Sequence, residues 1–193
     1  MRLRTKLVAS HLGIAALVWV VVVTALRVQT NVQDVQGRIR EVVVPTIIAL
    51  ENLKAGGIRV VASTAEFIAV ASEREHADET KRDAEGISAA GQQELELSEA
   101  ETGTLECNEA LERYAERLAQ RQRHRDGEQE ILEQLRLRTA TLIQSGTDLI
   151  ALKMGGARGN AMIEGKEGFG EAESVFLATV NLALEDALLD LTE

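Results

Sequence analysis

Cys107 is the only cysteine in 193 residues, so no intrachain disulfide can form and cysteine-rich zinc sites are excluded. Pro45 is the only proline, and aromatic residues make up 3% of the chain: Trp19, Phe67, Tyr114, Phe169 and Phe176. So few prolines and aromatics argue against an all-β sandwich with many turns, and they leave little from which to build base- or sugar-stacking platforms. The histidines number three: His11, His76 and His124. Cations are also scarce. Lys and Arg total 21 against 31 Asp and Glu, a formal net charge of −10. A protein that neutralises phosphates needs a basic surface, so nucleic acid is not an expected partner. There is no GxxxxGK(S/T) phosphate loop, no ATP-binding glycine box and no catalytic constellation, so the chain does not read as an enzyme, and neither a cofactor nor a metal is expected.

What is abundant is aliphatic. Leu7 to Leu26, LVASHLGIAALVWVVVVTAL, holds no charged residue. Twenty helical residues span about 30 Å, the thickness of a hydrocarbon core. Arg2, Arg4 and Lys6 precede the run and Arg27 follows it, which favours a cytoplasmic residue 1–6 segment and an exported remainder. A cleaved signal peptide is the competing reading, with Val23-Thr24-Ala25 as a loose cleavage site, but the run is longer than the usual signal core. The expected organisation is therefore 1–6 cytoplasmic, 7–26 a signal anchor and 27–193 an extracytoplasmic domain. Residues 28–193 hold 17 cations and all 31 acidic groups, a net −14.

Beyond the span, apolar residues recur in steps of three and four. One stripe runs Val28, Val32, Val35, Ile39, Val42, then Leu50, Leu53, Val60 or Val61, Thr64, Phe67 or Ile68, and Ala71. It predicts one long helix to about residue 73, kinked at Pro45 and weakened at Gly56-Gly57. A turn is expected within Ser72–Asp83. The second helix is read with a stripe of Ile87, Gly91, Leu95, Ser98, Thr102, Leu105, Asn108, Leu111, Ala115 and Leu118. A second turn falls at Arg121–Arg125, and Asp126 with Gln129 is expected to cap a third helix. Its stripe is Ile131 or Leu132, Leu135, Leu142, Leu149 and Leu152, ending at Gly155-Gly156. Asn160 is expected to cap a fourth helix with Phe169, Ala172 or Glu173, Phe176, Val180, Ala183 and Ala187 inward. Four amphipathic helices with short turns give an all-α fold: an N-terminal transmembrane helix continuing into an up-down four-helix bundle. His76 and His124 fall in turns at opposite ends of such a bundle, which disfavours a shared metal site.

The basic start MRLRTKL, the segment VPTIIALENLKAGGIRVVASTAEF, the stretch GISAAGQQELE and the stretch EGFGEAESVFLATVNLAL together carry a resemblance. The chain resembles the four-helix-bundle ligand-sensing N-terminal region of bacterial methyl-accepting chemotaxis receptors and of membrane histidine kinases. The resemblance covers nearly the whole chain. It implies a sensory input module in the bacterial inner membrane, single-pass here, with its bulk periplasmic. It also implies a parallel homodimer, and a small-molecule ligand or periplasmic binding protein as partner. Those receptors continue into a second span and a signalling output, neither of which this sequence contains. The alternative is a single-span anchored helical interaction protein without a signalling output.

Several side chains are candidates for the site. Ser63, Thr64 and Glu66 would form a polar patch toward a ligand between helices, or a solvated face with hydroxyls bonded back to the preceding turn. The resemblance makes Arg59 a candidate carboxylate grip; its alternative is an exposed, snorkelling arginine. Arg121, Arg123 and Arg125 would contact lipid headgroups, or cap a helix C-terminus. Val43, Val44, Ile47, Ile48 and Ile58 form a second apolar row that a single bundle would leave wet, and they are the expected dimer interface. Cys107 is expected to be small, partly buried and unreactive.

Overall fold

A computed structural model of the chain describes residues 2–76, 82–120 and 127–189. The described residues form five α-helices: α1 (Arg2–Arg38), α2 (Val44–His76), α3 (Arg82–Gln120), α4 (Glu128–Met154) and α5 (Asn160–Leu189), with a π-helical stretch at Ile39–Val43. The chain divides into two units, residues 1–42 and 43–193.

The first unit is α1 with the first turns of the π-helical stretch. A helix near the N-terminus is long and apolar enough to cross a membrane, a property shared by anchors and signal sequences. Trp19 and its aliphatic neighbours from Leu17 to Val22 are exposed. The π-helical stretch stands where a kink was expected. Pro45 has no amide with which to reach the carbonyl of Glu41, and an i→i+5 pattern just before it passes over the missing donor.

The second unit is the up-down four-helix bundle, α2 to α5. α2 pairs with α3 and α4 with α5, and α2 also touches both α4 and α5. The α2 stripe is as the periodicity requires: Leu50, Leu53, Val60, Thr64, Phe67 and Ile68 are buried, with Val60 rather than Val61 inward. In α4 the buried positions Leu135, Thr139, Leu142, Gly146, Leu149 and Lys153 alternate in steps of four and three. In α5 they are Phe169, Ala172, Phe176, Val180, Ala183, Leu184 and Ala187. Leu50, Leu53, Leu135, Leu142 and Phe176 are completely enclosed, and each such side chain contributes about 1.5–3 kcal/mol of transfer free energy.

The α3 face keeps Leu111 and Leu118 of the expected stripe inward but departs from its expected phase before them. Leu95 and Leu105 are 56% and 64% exposed, and Ser98, Thr102 and Asn108 also face outward. The inward face is Gly103, Cys107, Ala110, Leu111, Tyr114 and Leu118. The reason is close helix packing. Built on Gly103, a Cβ would lie 2.9 Å from the Gly56 carbonyl oxygen; built on Gly56, it would lie 3.0 Å from Cys107 Sγ. Small residues carry this contact, so Leu95 and Leu105 are turned outward while Leu111 and Leu118, beyond it, stay inward. Gly56-Gly57, expected as a weak point, lies inside an unbroken α2 and is buried.

Helix ends differ in detail. Gly127, with φ 108°, precedes α4 and provides no side-chain cap, while Asp126 lies outside the described residues. Gly155 and Gly156 close α4 as expected, Gly156 with φ 76°. Asn160, expected as a cap, is already the first residue of α5. Of the turn expected within Ser72–Asp83, residues 72–76 belong to α2 and 82–83 to α3, and residues 77–81, like the second turn expected at Arg121–Arg125, lie outside the described residues.

Candidate functional site

Between α2, α3 and α4 lies a partly open cavity of about 480 Å³. Helical spacing assembles its walls. Val60 and Thr64, one turn apart, supply the α2 side. Leu97, Ala100, Glu101 and Thr104 supply the α3 side, and Ile143, Gly146, Thr147 and Ile150 the α4 side, at the i, i+3, i+4 and i+7 positions of one helix face. A cavity this size lies within the range of about 300–1,000 Å³ typical of small-molecule sites, and its walls are mostly apolar, as such sites usually are.

Thr64 is the polar feature of the α2 wall. Helical threonines and serines in this bundle mostly donate back to the preceding turn: Thr104 to Ala100 O at 2.9 Å, Thr147 to Ile143 O at 2.9 Å, Thr139 to Leu135 O at 2.7 Å, Ser63 to Arg59 O at 2.8 Å. Thr64 does not. Its Oγ1 is buried with no hydrogen-bond partner among the described residues. Gly146 makes the room beside it, since a Cβ there would come within 3.2 Å of both Thr64 Oγ1 and the Phe169 ring. An unanswered buried hydroxyl costs roughly 1–3 kcal/mol, and a ligand group that meets it recovers that cost.

Of the four residues expected to touch a ligand, Thr64 alone lines this cavity. Ser63 is buried and bonded back to its own helix. Arg59 is exposed and its Nε lies 3.3 Å from Glu106 on α3. Glu66 is exposed and faces Glu96 of α3. Burial pushes the Glu96 carboxyl above the ordinary glutamate value, and the hydrogen bond and charge of Glu66, then the charge of Glu99, add to the push. Arg121, Arg123 and Arg125 lie outside the described residues. In the second apolar row, Val44, Ile48 and Ile58 are exposed, Ile47 packs against the core and Val43 is buried within the bundle at 2% exposure.

The α3 and α4 walls were not anticipated from sequence. One signal was available. Gly146 interrupts the Leu142–Leu149 stripe, and a glycine at an inward helical position costs about 1 kcal/mol relative to alanine unless something approaches closely. Cys107 is completely buried, with Sγ 3.7 Å from Leu53 O. Its thiol is pushed up to about 12, chiefly by burial and then by the charge of Glu106. That leaves it without a nucleophile's thiolate at neutral pH.

No family model, curated protein or solved structure matches the chain.

Proposed function

We propose that the chain is the sensory input module of a bacterial transmembrane signalling receptor, of the chemoreceptor or histidine-kinase type, anchored in the inner membrane with its bundle on the periplasmic side. The observation that carries the reading is the α2–α3–α4 cavity with the unanswered hydroxyl of Thr64 on its wall. A ligand there touches three helices at once. It therefore bears on the packing between the α2–α3 pair and α4, and a bundle with two close-lying packings responds by shifting its population. The long apolar N-terminal helix supports the membrane setting. The exposed aliphatics Val44, Ile48 and Ile58 on one helix favour a parallel homodimer as the working state.

The test is a chimera in which the chain is followed by a second span and a histidine-kinase transmitter. Ala100→Phe places a ring in the cavity and mimics occupancy. A changed phosphorylation level in membranes is the expected result. Output that is indifferent to this substitution, in a chimera that is inserted and helical, overturns the sensory reading. It then favours the anchored interaction protein.

A further inference from the structure

We propose that the α2–α3–α4 cavity takes an uncharged, largely apolar small molecule that meets Thr64 through a single hydrogen bond, and that it rejects anions. The proposal rests on the sensing reading above and adds the class of ligand.

Wall chemistry argues it. None of the residues lining the cavity is basic, and the one that is ionisable is the carboxylate of Glu101, which stands exposed. Arg59, the cation that the resemblance singles out, is paired with Glu106 at 3.3 Å. The α3 surface around it carries Glu94, Glu96, Glu99 and Glu106 as well. A carboxylate or phosphate entering here meets repulsion and no countercharge, so the grip on an anion that the resemblance implied for Arg59 has no counterpart at this site. A cationic group fares better at the rim, beside Glu101, but not in the interior. There the hydroxyl oxygens of Thr64, Thr104 and Thr147 would have to replace a whole hydration shell among apolar walls, which so few acceptors cannot do.

A neutral molecule has no such cost. Val60, Leu97, Ile143 and Ile150 offer it apolar contact. Thr104 and Thr147 have already given their protons to their own helix, so they add no competing donor. Thr64 Oγ1 can donate or accept and has no partner of its own, and a neutral ligand group can meet it without the desolvation cost that a charge carries. Gly146 lets that hydroxyl and the Phe169 ring sit close against the α4 backbone, where a Cβ would come within 3.2 Å of both.

The experiment uses the full chain in lipid nanodiscs and isothermal titration calorimetry, with heats from empty nanodiscs subtracted. The probes share one ring system: 1-naphthol, 1-naphthylmethylamine and 1-naphthoate. Expected is saturable binding of 1-naphthol at one site per chain, with the amine weaker and the carboxylate weaker still. Thr64→Val keeps the shape and removes the hydroxyl, so it should weaken 1-naphthol by about two- to tenfold, the equivalent of one hydrogen bond. Ala100→Phe and Thr147→Phe should abolish the heat, each checked for retained helicity by circular dichroism; two filling variants guard against one that fails to fold. Four results overturn the proposal: carboxylate or amine binding as tightly as 1-naphthol, unchanged affinity in Thr64→Val, binding that survives in a helical filling variant, or no saturable binding by any probe. In the first case the cavity still binds ligand and only the class is wrong. The kinase chimera, which needs no ligand, decides the sensing reading separately.

Discussion

The ring of Phe176 on α5 occupies the space that a Cβ on Gly57 of α2 would fill. Phe176 is completely buried, so its ring cannot swing into solvent to make way. Gly57→Ala should therefore destabilise the bundle, by about 1–3 kcal/mol of overpacking less about 1 kcal/mol of recovered helix propensity. Gly91 of α3 has nothing within 4 Å of its own Cβ position. Gly91→Ala should raise stability by about 0.5–1 kcal/mol. Paired thermal melts followed by circular dichroism check both signs; two shifts of the same sign would refute the contact-based account.

Cys107 should resist alkylation. With its thiol pushed up to about 12 and its sulfur enclosed, iodoacetamide near neutral pH is expected to label the native protein only through transient opening. Full labelling in denaturant provides the reference. For the same reason, mild oxidation should not produce a disulfide-linked dimer on a non-reducing gel. Rapid native labelling would place Cys107 at an accessible surface.

Glu96 gives a pH dependence with a definite sign. Its carboxyl is raised in the folded state by burial, by Glu66 and by Glu99, so the folded chain holds that proton more tightly than the unfolded chain does. The resulting stabilisation is complete below the unfolded glutamate value and is lost as pH rises through the raised folded value. Glu96→Gln removes the ionisation without changing the shape. Near neutral pH the Gln variant should melt higher than the parent, and the gap should close as pH falls through the carboxylate range. A gap that widens in acid would reverse the assignment.

The α2 row separates core from surface. Ile47 packs against the bundle core and Ile48 is 54% exposed. Ile47→Glu is expected to cost about 1–3 kcal/mol in a thermal melt. Ile48→Glu should leave the melt nearly unchanged and weaken self-association, measured by chemical crosslinking of the full chain in membranes. Crosslinking that is unaffected by Ile48→Glu and by the equivalent change at Ile58 would remove this row from any dimer interface.

Much of the molecule is decided by residue pattern alone. An uncharged run of 20 residues at the N-terminus makes a long apolar helix, because such a backbone satisfies its own hydrogen bonds. Large aliphatics and aromatics in steps of three and four orient α2, α4 and α5, since burying Leu50, Leu135, Phe176 and their stripes requires those faces inward. The all-α bundle and the end of α4 at Gly155-Gly156 were legible for that reason.

The tertiary structure decided what depends on small residues and on distance. The phase of α3 follows from backbone proximity between Gly56 and Gly103, and glycine, alanine and cysteine carry too little hydrophobic contrast to announce such a contact. The cavity is likewise a product of three helices, because Thr64, Ala100 and Gly146 are far apart in sequence and become one wall system only when α2, α3 and α4 pack. Thr64 could be singled out as polar on an apolar face. That its hydroxyl is enclosed without a partner while those of Ser63 and Thr139 bond back to their helices is a matter of rotamer and neighbour, which only the folded chain sets.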